Sequence, residues 1–228
     1  MIDEPPLLTI AAEIERPKPN QVDRFRGVPT SFICDAMGGR GALDWRIKPI
    51  GPPQLLGVAL TCHCGPADIL ALSAAVQMCQ PGDVLVVATD GFTGTAVVGD
   101  LMLGIAKNRG AAGLVTDGLI RDRIDVEGLN FPVFAMGVCP NSPSGKGPGT
   151  VRMPIVCGGW AIATGDIVIA DRDGVVTVPR GQIAAVLASL DKVKAAEAAM
   201  LKKVRGGLTE VASAVELLAS DRVKFLDR

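Results

Sequence analysis

The chain has 228 residues, 48% of them apolar and 21% charged, ample material for a buried core. Its 23 basic and 24 acidic residues leave a formal charge of −1, so there is no field to gather nucleic acid or an anionic membrane, and with no Tyr and few aromatics there is no base-stacking face. Six cysteines, mostly within apolar runs, are too sparse for a secreted disulfide scaffold and are expected as reduced, buried thiols.

The N-terminal "MIDEPPLLTIAAEIERPKPNQ" sets acids and prolines where a secretion signal needs positive charge and a long apolar run. No other stretch is long and apolar enough to cross a bilayer, so a soluble cytoplasmic protein is expected. Residues 1–24 read as an arm, 25–181 as the main domain, and 182–228 as C-terminal helices that pack on a neighbouring subunit. "VPTSFICDAMG" predicts a short helix begun by Thr30 or Ser31 and stopped at Gly38-Gly39. "LLGVALTCHC" reads as a strand, and "PADILALSAAVQMCQPGD" as a helix opened by Pro66 and closed by Pro81-Gly82. "DVLVVA" is a short apolar run between turn residues, the pattern of a strand buried on both faces. After the loop "DGFTGT", "AVVGDLMLGIAKNRG" reads as a helix ending at Gly110, and "AGLVTDG" and "FPVFAMG" repeat the buried-strand pattern.

This alternation predicts an α/β fold, a sheet covered by helices. "VRMPIVCGG", "WAIATGD", "DIVIADRDG" and "GVVTVP" then follow as short strands joined by tight turns, expected as hairpins. An Ala-rich helix runs from Gln182 to about Arg205, and a last helix is expected from Thr209 to about Ser220.

Two segments carry residue types that suggest chemistry, and neither is read as a site. In "CHC", an extended strand puts Cys62 and Cys64 on one face and His63 on the other, so the three do not converge on zinc. "NSPSGKGPG", residues 141–149, has the composition of a flexible surface loop and lacks the Gly-Lys-Ser/Thr ending into a helix that cradles phosphate.

The segment "GDLMLGIAKNRGAAGLVTDGLIRDRID" concentrates the functional signal. Asp100 stands in the opening turn of a helix, where free amides and the helix dipole favour an anion. Arg121 and Asp122 follow the next strand at its C-terminal end, where α/β sheets collect ligands, so they can share one pocket with Asp100. Adjacent residues on an extended chain diverge, so Arg121 and Asp122 are expected to face different targets. A guanidinium binds carboxylate or enolate oxygens in a two-pronged way, and helix-start amides bind anionic oxygen. One direct carboxylate with others acting through water suits a small hard cation. The residues thus point to a divalent metal and a small 2-oxo acid.

With "PGDVLVV" before it and "GDIVIADRDGVVTVP" after, this segment resembles the divalent-metal-dependent 4-hydroxy-4-methyl-2-oxoglutarate / 4-carboxy-4-hydroxy-2-oxoadipate aldolases. That family also includes the protein regulators of ribonuclease E activity. The resemblance spans about residues 25–210, and its most specific feature is an Asp, twenty residues, then Arg-Asp, met by Asp100, Arg121 and Asp122. It implies a swivelling β/β/α sandwich with a C-terminal helical extension, assembled as homotrimers or homohexamers with active sites between subunits. It further implies that Asp122 ligates Mg²⁺ or Mn²⁺ directly, and that Asp100 and a neighbouring subunit's Glu197 act through water. Arg121 would contact the oxo and carboxylate oxygens, and the helix start at Gly99, Leu101 and Met102 would bind the pyruvyl carboxylate. The implied activity is retro-aldol release of pyruvate, with oxaloacetate decarboxylation alongside. The alternative is a non-enzymatic protein-binding module like the ribonuclease regulators, which generally lack the metal-binding Asp. Arg123, Ile124 and the modest glycine content of "TDGFTGTAVVGD" depart from the family pattern and bear on the substrate's far end. A Schiff-base mechanism needs a buried lysine, and Lys107, the lysine near this segment, is expected to be an exposed charge at a helix end.

Overall fold

The computed structural model describes residue 4 and residues 6–226. An N-terminal strand β1 (Leu8–Ile10) and two short helices, α1 (Pro19–Asp23) and α2 (Thr30–Ala36), precede β2 (Lys48–Pro49) and the long strand β3 (Leu55–His63). Helix α3 (Leu70–Met78) leads to β4 (Asp83–Ala88), then β5 (Ala96–Val98), α4 (Asp100–Asn108), β6 (Gly113–Thr116), β7 (Leu119–Ile120) and α5 (Arg123–Gly128). The second half runs through β8 (Val133–Ala135), β9 (Gly137–Val138), β10 (Gly149–Val151), β11 (Ile155–Cys157), β12 (Trp160–Ile162), β13 (Ile167–Ala170) and β14 (Val175–Val178). Helices α6 (Ile183–Arg205) and α7 (Ala212–Leu218) close the chain.

The chain divides into a first unit up to Leu190 and a second from Asp191. The break falls inside α6, whose first turns bury Ile183, Val186, Leu187 and Leu190 in the first unit. The second unit contains the rest of α6 and α7, and α7 has no buried residue. No helix among the described residues is long and apolar enough to cross a membrane.

The first unit is mixed α/β, as the sequence predicts. Strands β3, β4, β6 and β8 lie side by side and parallel in a nine-stranded sheet. All six residues of β4 are buried. Leu85 and Val87 join a core with Leu72, Val76 and Leu103, while Val84, Val86 and Ala88 join another with Phe134, Ile162 and Val168. Burial on alternate faces explains why "DVLVVA" is apolar throughout rather than alternating. Each such Val or Leu contributes about 1.5–3 kcal/mol relative to exposure. The antiparallel hairpins β11–β12 and β13–β14 form where the second-half pattern places them, and β13 also pairs with the first half of β3.

Four local details differ from the sequence reading. The N-terminal arm supplies strand β1, which pairs in parallel with β10 at the sheet's edge. Helix α2 takes its cap from a distance, Asp171 accepting the Thr30 amide at 2.8 Å and the Thr30 hydroxyl at 2.9 Å. Helix α3 starts at Leu70, past Pro66, because Ala67 turns at φ 55° and Asp68 Oδ1 accepts the Leu70 amide at 2.7 Å. "AVV", expected within a helix, is strand β5; with β7 and β9 it forms a separate three-stranded parallel sheet.

Candidate active site

That small sheet builds the site. The chain leaves β4 for β5, β6 for β7 and β8 for β9, so each of these main-sheet strands is followed by one strand of the small sheet. Arg121 and Asp122 therefore follow β7, not the buried strand β6 that the sequence suggested. Because the small sheet is parallel, the C-terminal ends of β5 and β7 are adjacent. The ladder runs one residue further, with the Arg121 amide donating to the Val98 carbonyl at 3.0 Å. Val98 leads directly into Gly99 and α4, so the start of that helix is drawn against Arg121 and Asp122. A Cβ built on Gly99 would lie 2.3 Å from Asp122 Oδ2, 2.9 Å from Arg121 Nε and 3.0 Å from Arg121 Cγ. Only a residue with no side chain permits this approach.

Arg121 and Asp122 do not diverge. Asp122 sits at φ 59°, ψ 44°, a left-handed conformation that turns the chain into α5 and swings the carboxylate back beside its neighbour. Asp is among the few side chains that tolerate this geometry. Arg121 Nε lies 3.2 Å from Asp122 Oδ2, and both side chains are 35% exposed. This is an ion pair without hydrogen-bond geometry, and the buried Nε has no hydrogen-bond partner. On its other side the guanidinium donates from Nη1 to the hydroxyl oxygen of Ser142. Among the described residues nothing accepts from Nη2, which leaves one edge of the cation open.

Helix α4 begins with Gly99 as its cap residue and no capping side chain. The Leu103 amide reaches the Gly99 carbonyl at 3.2 Å, while the amides of Asp100, Leu101 and Met102 have no partner among the described residues. Asp100 lies in the first turn, where the helix dipole favours its charge. Three free amides next to an open guanidinium edge suit a planar anion such as a 2-oxo carboxylate.

Two buried carboxylates hold the loops around this centre. Asp117 accepts from the Thr89 amide at 2.7 Å, the Thr89 hydroxyl at 3.2 Å and the Gly91 amide at 3.2 Å, fixing the segment that leads into β5. Asp68 accepts from the Ser144 hydroxyl at 2.8 Å and from the Lys146 and Gly147 amides at 2.8 and 3.0 Å. Burial pushes the Asp68 carboxyl up, but these donors and the Leu70 amide outweigh it and hold the group below its ordinary value. The 141–149 segment, expected to be a flexible loop, is thus pinned, and it delivers Ser142 to Arg121.

Among the described residues, no three His, Cys, Asp or Glu side chains gather as a metal cage. The donors here are one carboxylate, Asp122, with Asp100 one residue beyond Gly99. Such a set fits a hard ion that keeps most of its waters, such as Mg²⁺, and does not fit a closed tetrahedral zinc centre.

A family model described as "RraA-like: Aldolase/RraA" matches residues 30–177, which include every element of this site. The chain belongs to the RraA-like family. It is 36% identical over 196 residues to a protein of Halalkalibacterium halodurans named "Putative 4-hydroxy-4-methyl-2-oxoglutarate aldolase", covering 86% of this chain and 93% of that one. Among solved structures, an uncharacterised protein from Pseudomonas syringae pv. tomato matches with a TM-score of 0.76 at 28% identity, over 87% of this chain and 94% of that one. Streptomyces coelicolor RraAS2, described as an unusual member of the RNase ES inhibitor RraA family, matches with a TM-score of 0.73 at 28% identity, over 83% and 100%. The named relatives thus include one called an aldolase and one of the RraA inhibitor family.

In this RraA-like chain, Gly99, Asp100, Leu101, Met102, Arg121 and Asp122 come together as one cluster along the ends of β5 and β7. Glu197 lies on α6 in the second unit and is exposed. Lys107 is exposed in the last turn of α4, where its ammonium donates to the Leu129 carbonyl at 2.6 Å. Cys62 and Cys64 are buried, and His63, half-exposed, places Nε2 3.0 Å from both carboxylate oxygens of Asp90. Sequence reasoning passed over Asp117, Asp68 and Ser142. Asp117 left a signal, a carboxylate ending an apolar strand, since such a buried group must find donors. Asp68 and Ser144 pair across 76 residues, which no local pattern announces.

Proposed function

We propose that this RraA-like protein is a divalent-metal-dependent pyruvate aldolase that cleaves 4-hydroxy-2-oxo acids of the 4-hydroxy-4-methyl-2-oxoglutarate or 4-carboxy-4-hydroxy-2-oxoadipate type. The observation that carries this reading is the side-chain-free approach at Gly99, which sets a guanidinium, a carboxylate and uncapped helix amides around one space.

The amides of Leu101 and Met102 take the substrate carboxylate, and the open edge of Arg121 takes the 2-oxo oxygen. Asp122 directly, with Asp100 and a neighbouring copy's Glu197 through water, would hold Mg²⁺ or Mn²⁺, which supplies Lewis-acid polarisation of the oxo group. A water ordered by Asp100 and Glu197 takes the proton of the 4-hydroxyl. The C3–C4 bond then breaks, its electron pair forming pyruvate enolate while C4 becomes a carbonyl carbon. Arg121 offsets the enolate charge, and a proton delivered to C3 completes pyruvate. Oxaloacetate gives the same enolate by loss of CO₂, so it is a second substrate.

The proposed assembly is a homotrimer or homohexamer with sites between subunits. Leu101 and Ile105 on α4 and Ile124 on α5 are 77%, 45% and 84% exposed, apolar surface on the two helices that start at the site. Covering such surface with a second copy is favourable. The partners this reading requires are small 2-oxo acids and further copies of this chain.

Purified protein given oxaloacetate with Mg²⁺ or Mn²⁺ is expected to release pyruvate, and EDTA in excess is expected to stop it. Absence of pyruvate with every metal tried would favour a protein-binding role of the ribonuclease-regulator kind instead.

A further inference from the structure

A loop remote in sequence holds the cation at the centre of the site. Arg121 has a long flexible side chain that is one-third exposed, and its neighbour Asp122 alone would let it fold flat into a closed ion pair. The opposing contact is Ser142, whose hydroxyl oxygen accepts from Nη1. With Nε facing Asp122 and Nη1 held by Ser142, Nη2 becomes the edge left for a ligand. A hydroxyl fixes the guanidinium plane without adding a second negative charge to neutralise it.

Ser142 is itself fixed on both sides. Next to it, the Asn141 carbonyl accepts the Ala96 amide at 3.2 Å and the Asn141 side-chain amide donates to the Gly94 carbonyl at 3.0 Å. Beyond it, the Ser144 amide donates to the Ala67 carbonyl at 2.7 Å, the Ile69 amide donates to the Ser144 carbonyl at 2.9 Å, and Asp68 gathers Ser144, Lys146 and Gly147. The same loop therefore grips the segment ahead of Gly99 and the guanidinium facing it.

We infer that Ser142 is a positioning residue for the Arg121 guanidinium, with Asp68 as the anchor of its loop; the catalytic consequence rests on the aldolase reading, the geometry does not. Misplacing a catalytic group by about an ångström can lower turnover ~100-fold. Ser142→Ala is expected to reduce kcat for oxaloacetate with Mg²⁺ by ~10- to 100-fold while KM moves less than threefold and the melting temperature is unchanged. Ser142→Thr, which keeps the hydroxyl, is expected to restore most of the rate. In ¹⁵N-labelled protein, the Arg121 Nη signals, assigned by their loss in Arg121→Lys, should be resolved in the wild type and averaged in Ser142→Ala. A Ser142→Ala enzyme within twofold of wild-type kcat would overturn the inference, and so would equal losses of rate and stability in both Ser142 variants. If the wild type turns over no oxaloacetate, the aldolase reading fails, and the nitrogen spectra still decide the positioning: averaging in Ser142→Ala supports it, and identical spectra refute it.

Discussion

Asp122→Asn is expected to lower metal-dependent pyruvate release from oxaloacetate by ~1000-fold or more. In the proposed function Asp122 is the single direct carboxylate, so its loss would remove Lewis-acid stabilisation amounting to several kcal/mol, and each 1.36 kcal/mol is a factor of ten. Asn is the informative replacement because it shares with Asp a tolerance for the left-handed backbone at φ 59°. The turn into α5, and with it the melting temperature, should survive. Arg121→Ala should be comparably inactive for a different reason, since it strips the cation from the developing enolate. The two losses should separate in the metal titration: raising Mn²⁺ tenfold should recover part of the Asp122→Asn rate and none of the Arg121→Ala rate. Near-native turnover in either variant would mean the site is misplaced.

Gly99→Ala is expected to be nearly as damaging, though glycine carries no chemistry. The new methyl would stand 2.3 Å from Asp122 Oδ2 and 2.9 Å from Arg121 Nε, closer than any real contact. The backbone itself, at φ −127°, ψ −176°, accepts alanine without strain. Both neighbours are partly exposed side chains that can swing aside, so the chain folds and the site opens. The expected result is a ~100-fold or greater loss of kcat with a melting temperature within a few degrees of wild type. A Gly99→Ala protein with ordinary turnover would show that this close approach does not form the working site.

These effects follow from parts of the molecule that the sequence reveals unevenly. The α/β alternation is legible because buried strands such as "DVLVVA" are apolar on both faces and bounded by turn residues. The Asp, Arg and Asp of the site are legible because they fall at a helix start and just past a strand, where α/β proteins collect ligands. Strand β5 is not, because three residues are too few for a period to register and "AVV" reads equally well as the first turn of α4. The convergence of Arg121 and Asp122 is hidden for a related reason. It depends on one left-handed residue, and Asp in that conformation leaves no pattern.

The 141–149 loop shows the opposite error. Its glycines, prolines and serines indicate flexibility in isolation, yet a carboxylate more than seventy residues earlier supplies the acceptors that hold it. Composition reports what a segment can do alone, and Asp68 changes what it does in the fold.

Exchange of the methyl protons of pyruvate for deuterium is the most direct test of the central claim, that Asp122 and Arg121 flank a space built to stabilise pyruvate enolate. It requires no knowledge of the natural substrate, since enolate formation alone replaces the protons. Followed by proton NMR in D₂O, the pyruvate methyl signal should decay with Mg²⁺ or Mn²⁺ and the wild-type protein, and persist with EDTA or with Asp122→Asn. A methyl signal that decays no faster with the metal-loaded wild-type protein than in buffer would contradict the account.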